Sequence, residues 1–102
     1  MKLEELSKIS NPKEVYRKFK ENGYDEYTNI YVSTRKDKKY MIIEPYTSKM
    51  IHFGSTMADY TFTKDEKKRS NFLNRNARWR DLNMFSAGYL SYILLWDGRN
   101  TI

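Results

Sequence analysis

Three short runs of β-branched and aromatic residues, Ile30-Tyr31-Val32, Tyr40-Met41-Ile42-Ile43 and Met50-Ile51-His52-Phe53, begin ten residues apart. They commit the middle of this chain to a small sheet, because such residues fit a pleated, half-buried surface. The intervening pieces, Arg35 to Lys39 and Pro45 to Lys49, are short and polar, so an antiparallel meander is the economical connection. Alternation within the runs predicts that Met41, Ile43, Ile51 and Phe53 face the core and that Tyr40, Ile42, Glu44 and His52 face outward. An outward Ile42 beside tyrosines implies that a helix or a partner covers the second face.

Helical signals flank this block. Leu3, Leu6 and Ile9 recur every third residue, with Glu4 and Glu5 in a first turn where negative charge is favoured. A second helix is predicted over 12–22, capped by Asn11, opened by Pro12, completed as a capping box by Glu14 and stopped by Gly23. After a loop from Gly54 to Phe62, Thr63-Lys64-Asp65-Glu66 reads as a capping box that starts a helix at Lys64 and carries it to about Trp79. Asp81-Leu82-Asn83 breaks it. Ser86 then caps a last helix, 87–96, which Asp97-Gly98 terminates and which is apolar nearly all round. The expected fold class is α+β: a three-stranded antiparallel sheet with an N-terminal helix and two C-terminal helices packed on it. At 102 residues this is one domain, made of a helical N-terminal extension (1–26), a β-meander (27–54) and a basic helix followed by an apolar one (63–96).

Charge points to function more directly than any motif. Between Lys64 and Arg80 there are seven basic residues and two acidic ones, so this segment carries +5 of the chain's net +6. At helical spacing Lys64, Lys67, Lys68, Arg75 and Arg78 share one sector, with Phe72 and Trp79 at its edge. Such a face can lie along a phosphate backbone while the aromatic edge stacks on bases or packs in the core. A solvated helix face is the competing reading. Lys36, Lys38 and Lys39, in the hairpin turn, extend the basic surface if they fall on the same side. Tyr89, Tyr92, Ile93 and Trp96 of the apolar helix are candidates for a protein interface.

Several classes are excluded or disfavoured. There is no Cys, so no disulfide, thiolate nucleophile or Cys-ligated zinc. His52 is the only histidine and is read as structural. The carboxylates Asp25, Glu26, Glu44, Asp59 and Asp65 show no metal-site spacing. No catalytic residue, metal or cofactor is expected. The first residues lack the apolar core of a signal peptide, and the apolar stretch near Tyr89 to Trp96 is too short to cross a bilayer. A location inside the cell, without membrane insertion, is therefore expected.

The order of Lys39-Tyr40-Met41, Ile51-His52-Phe53-Gly54, Asp59-Tyr60-Thr61 with Lys64-Asp65, the basic run with Arg69 and Arg75, and Ala87 through Trp96 resembles an uncharacterised family of small basic proteins. That family is encoded by large DNA viruses, including algal and giant viruses, and by some phages. The resemblance covers roughly the C-terminal two thirds. It departs at Thr63 and Asn76, where the family tends to have His, and about thirty N-terminal residues have no match. It implies a viral origin and a location in the virion or at a replication site in the host cytoplasm, and it carries over no catalytic residue.

Two functions follow as expectations. The first is nucleic-acid binding through the basic helix, in genome packing. The second is a minor capsid or cement role, in which the apolar C-terminal helix meets capsid proteins and the basic face meets an acidic viral protein surface. Self-association is compatible with both.

Overall fold

The computed structural model describes residues 1–100, the side chain of Asn100 excepted. In chain order the elements are α1 (Leu3–Leu6), α2 (Pro12–Glu21), β1 (Ile30–Val32), β2 (Tyr40–Ile43), β3 (Met50–Phe53), α3 (Tyr60–Thr63), α4 (Glu66–Arg75) and α5 (Ala87–Leu90). A 3-10 turn, Ala77–Asp81, follows α4, and a π-helical stretch, Ser91–Leu95, prolongs α5. The strands form one antiparallel sheet in the order β1-β2-β3. The α+β architecture and the meander are those expected.

The caps follow from residue chemistry. Asn11 accepts the Glu14 N–H at 3.3 Å, Pro12 occupies the first turn of α2, and Gly23 leaves it with φ +79°. The capping box is not closed, however. The Asn11 N–H donates to Thr61 Oγ1 at 2.9 Å, and the Glu14 carboxylate turns instead to Lys64.

The β2 faces are the reverse of the expectation. Tyr40 pairs with Phe53 and Ile42 with Ile51, and both β2 residues are buried with Phe53 in the core. Met41 and Ile43 lie opposite His52 and Met50 on the other face, where Ile43 and Met50 are exposed. Residues directly opposite in an antiparallel pair share a face. Pairing therefore settles what the uniformly apolar Tyr40-Met41-Ile42-Ile43 leaves undetermined.

The inner sheet face packs against α2 and the C-terminal helix around Val15, Phe19, Leu90 and the consecutive buried residues Tyr92 to Trp96. Stacked rings extend the core: Phe19 lies 5.5 Å from Tyr24, and Tyr24 meets Phe85 edge to face at 5.9 Å. Leu90, Leu94 and Leu95 are fully enclosed, each worth about 1.5–3 kcal/mol of burial.

The basic segment is not one helix. Thr63 does not cap it: α3 ends there, Lys64 adopts a left-handed conformation (φ +53°), and Asp65 is the cap of α4, accepting the Lys68 N–H at 3.1 Å. The helix ends at Arg75, and the Asn76 N–H and side-chain amide both donate to the Phe72 carbonyl at 3.0 Å, closing its last turn.

Candidate nucleic-acid interface

The buried polar centre of the molecule joins three segments distant in sequence. Lys39, at the end of the β1–β2 hairpin, places Nζ 3.2 Å from Asp59 Oδ2, and the two residues are 1 % and 0 % exposed. Asp59 Oδ1 accepts the Thr61 N–H at 3.0 Å and the Thr61 hydroxyl at 2.5 Å, capping α3. Ser10 Oγ lies 3.3 Å from Thr61 Oγ1 and 2.7 Å from the Tyr40 hydroxyl. Burial lowers the affinity of Lys39 for its proton, against the opposing pull of Asp59. Burial likewise pushes the Tyr40 phenol well above its ordinary range, the Ser10 bond opposing and Asp59 adding to the shift.

A second cluster pins the C-terminal turn. Lys18 Nζ lies 3.0 Å from Asp97 Oδ1 and 3.8 Å from Glu14 Oε1. Arg69 donates to the Asp97 carbonyl at 2.9 Å and pairs with Glu66 at 3.3 Å. These cations are structural.

The remaining basic residues sort by surroundings. Lys64 lies 2.5 Å and 2.6 Å from the Glu14 carboxylate oxygens and over the Tyr60 ring, so much of its charge is locally balanced. Lys67, Lys68 and Arg75 of α4 and Arg78 and Arg80 of the 3-10 turn are exposed and take no part in the ion pairs found among the described residues. At about 100° per residue, Lys68 and Arg75 lie roughly 40° and 60° to the same side of Phe72 on α4, and Lys67 lies farther round that side. The break at Asn76 removes Arg78 from the helix face expected to carry it and places it on the turn beside Trp79.

The hairpin lysines diverge. Lys39 is enclosed with Asp59 and is not available to a polyanion. Lys36 borders a recess with Met1, Lys2 and Glu5. Lys38 alone reaches the basic segment, and it lines a groove of about 330 Å³ with Phe72 and Trp79. The buried Phe53, Gly54, Ser91 and Trp96 also line it, with Ser55, Leu82, Ala87 and Gly88. Phe72 stacks on Trp96 at 4.3 Å and meets Trp79 edge to face at 5.8 Å. Phe72 and Trp79 keep part of their surface open. Sequence reasoning identified this aromatic edge but not the groove, which needs Gly54 and Gly88 from two other elements.

The C-terminal helix does not present the interface expected of it. Tyr92, Ile93 and Trp96 are 3 %, 2 % and 5 % exposed within their own core, and Tyr89 is half-buried against it. Tyr31, Ile43 and Met50, on the outer sheet face, are among the apolar residues that are exposed. His52 donates to or accepts from Ser33 Oγ at 2.7 Å, a tie across the sheet. Among the described residues there is no cluster of potential metal ligands, and no helix is long and apolar enough to cross a membrane.

Residues 28–76 match the profile of a family of unknown function (DUF5754), somewhat under half of the chain. No curated protein and no solved structure matches it. The matched segment spans the sheet, the buried Lys39 and Asp59, and α4, and it ends one residue before the turn that carries Trp79.

Proposed function

We propose that the protein binds nucleic acid across the groove between the β1–β2 hairpin and the basic segment. The observation that carries this reading is the meeting of Lys38 with Phe72 and Trp79 in one groove, flanked by Lys68 and Arg75 on α4 and by Arg78 and Arg80 on the following turn. Two basic clusters separated in sequence are thereby joined through an aromatic wall. Cations of this kind neutralise phosphates and release their counterions, while aromatic rings take up bases. Following the resemblance to viral basic proteins, such binding would serve genome packing.

The test is titration of the purified protein into labelled random-sequence duplex and single strand across a range of salt, with the Arg75→Glu/Arg78→Glu variant alongside. Binding that weakens steeply with salt, and much more in the variant than its thermal stability falls, supports the reading. Equal binding by the variant sinks it.

A second reading, a structural virion component, draws on the exposed apolar residues of the outer sheet face, Tyr31, Ile43 and Met50, at 42 %, 37 % and 57 %. Under that reading Met50→Asp blocks assembly with shell protein and leaves nucleic-acid binding intact. Unimpaired assembly by that variant would count against it.

A further inference from the structure

We propose that the groove between Lys38 and Trp79 receives an unpaired nucleobase, so that the protein selects single-stranded nucleic acid over duplex. This deepens the nucleic-acid reading and rests on it. The groove has the components a base requires. Phe72 and Trp79 supply partly open aromatic surface, and Phe72 is held in place by its parallel stack on Trp96 at 4.3 Å. Gly88 keeps the groove open: a Cβ there would lie 3.0–3.2 Å from Leu82 and Trp79. Ser55 and Ser91 add hydroxyls that can meet a base edge.

Charge selects among ligands that such a groove could take. Among the described residues its lining holds no acidic side chain, and Lys38 is the one charged member. Lys68 and Arg75, on the helix that carries Phe72, and Arg78 and Arg80, on the turn that carries Trp79, are exposed and add positive charge outside it. A planar group attached to a phosphate chain satisfies both the groove and its surroundings, whereas a cation or an acidic peptide satisfies one of them at most. In a duplex the bases are paired and stacked inside, out of reach of a recessed aromatic wall; in a single strand they are free to enter it.

The experiment compares three probes of equal length by anisotropy while tryptophan emission is recorded: an oligothymidylate, an abasic strand with the same phosphates, and a duplex. The expected result is an oligothymidylate affinity on the order of ten- to a hundredfold above that of the abasic strand and the duplex, with quenching of emission by the oligothymidylate alone. Trp79→Phe keeps an aromatic wall and should retain the preference but lose most of the quenching. Trp79→Ala should bring the oligothymidylate down to the abasic level. Equal affinity for thymidylate and abasic strands, or a base preference that survives Trp79→Ala in a folded variant, overturns base entry while leaving phosphate binding intact. Failure of all three probes to bind overturns the nucleic-acid reading itself.

Discussion

Lys39 Nζ and Asp59 Oδ2, 3.2 Å apart and enclosed by protein, join the β1–β2 hairpin to the loop before α3. Removing one member strands the other's charge in a medium that solvates it poorly. Asp59→Ala should cost about 3–5 kcal/mol, since it also deletes the acceptor of the Thr61 N–H and hydroxyl. The double variant Lys39→Met/Asp59→Asn removes both charges and retains an amide oxygen for Thr61. It should recover to within about 1–2 kcal/mol of the parent. Urea denaturation of the three proteins decides; a double variant less stable than the single one would contradict the argument.

Alkaline pH should unfold the protein through its tyrosines. Burial raises the phenols of Tyr24 and Tyr40 above the ordinary value of 10.0, and that of Tyr60 to a lesser degree. A group whose folded affinity for its proton exceeds the unfolded one stabilises below the unfolded pKa and loses that contribution as pH rises toward the folded value. Lys39 acts in the opposite sense, gaining stability as pH approaches 10.5 from below, because its affinity for its proton is lowered on folding. The tyrosines outnumber it, so the thermal midpoint should fall as pH climbs above about 10. Tyr40→Phe and Tyr24→Phe should each flatten that decline. A midpoint that rises through this range would refute the assignment.

Gly54 should not tolerate a side chain. Its φ is +84°, and a Cβ there would lie 2.7 Å from Leu95 Cδ1 and 3.3 Å from Lys39 Cβ. Leu95 is fully buried and has little room to move. Gly54→Ala therefore combines backbone strain with overpacking and should cost about 1–3 kcal/mol, read as a lowered denaturation midpoint. At Gly23, with φ +79° and open space around it, backbone strain acts alone. Gly23→Ala should cost less, about 1 kcal/mol.

The phosphate contacts can be counted. If Lys68, Arg75 and Arg78 each neutralise one phosphate of a single strand, replacing any of them by Ala should reduce the steepness of log K against log[salt] by roughly 0.7. Lys36→Ala, beside the recess at Met1 and away from the groove, should leave the slope unchanged. Equal effects at Lys36 and Arg75 would indicate a diffuse field in place of a defined surface.

The elements proved more legible than their pairing. All three strands lie where β-branched and aromatic runs predict them, and Asn11, Gly23 and Ser86 act at helix ends as their chemistry dictates. The inner face of β2 was hidden because four consecutive apolar residues carry no alternation to read. The start of α4 was misplaced because two caps compete, Thr63-x-x-Glu66 and Asp65 acting on Lys68; the left-handed Lys64 decides for the second. Lys38 and Lys39 look equivalent in the chain, yet one lines the groove and the other is enclosed. Their difference depends on Asp59, twenty residues beyond Lys39, which local pattern cannot connect to it. The same holds for the groove, whose two sides meet only after the C-terminal helix has packed.

The apolar run of β2 and the charge at its end bear on each other. A strand that is hydrophobic at every position gives weak protection against slippage past its neighbours, since each shifted alignment still buries greasy side chains. Lys39 changes that. Its N–H lies 3.0 Å from the Gly54 carbonyl, its carbonyl accepts the Ser33 N–H at 3.0 Å, and its ammonium meets Asp59. Sliding β2 by one residue in one direction would bring Tyr40 to that spot and abandon a carboxylate in the interior; in the other it would bring Lys38 there. The pair thus works against the slip toward Tyr40, closing one of the two nearest wrong alignments to a sequence rich in interchangeable contacts.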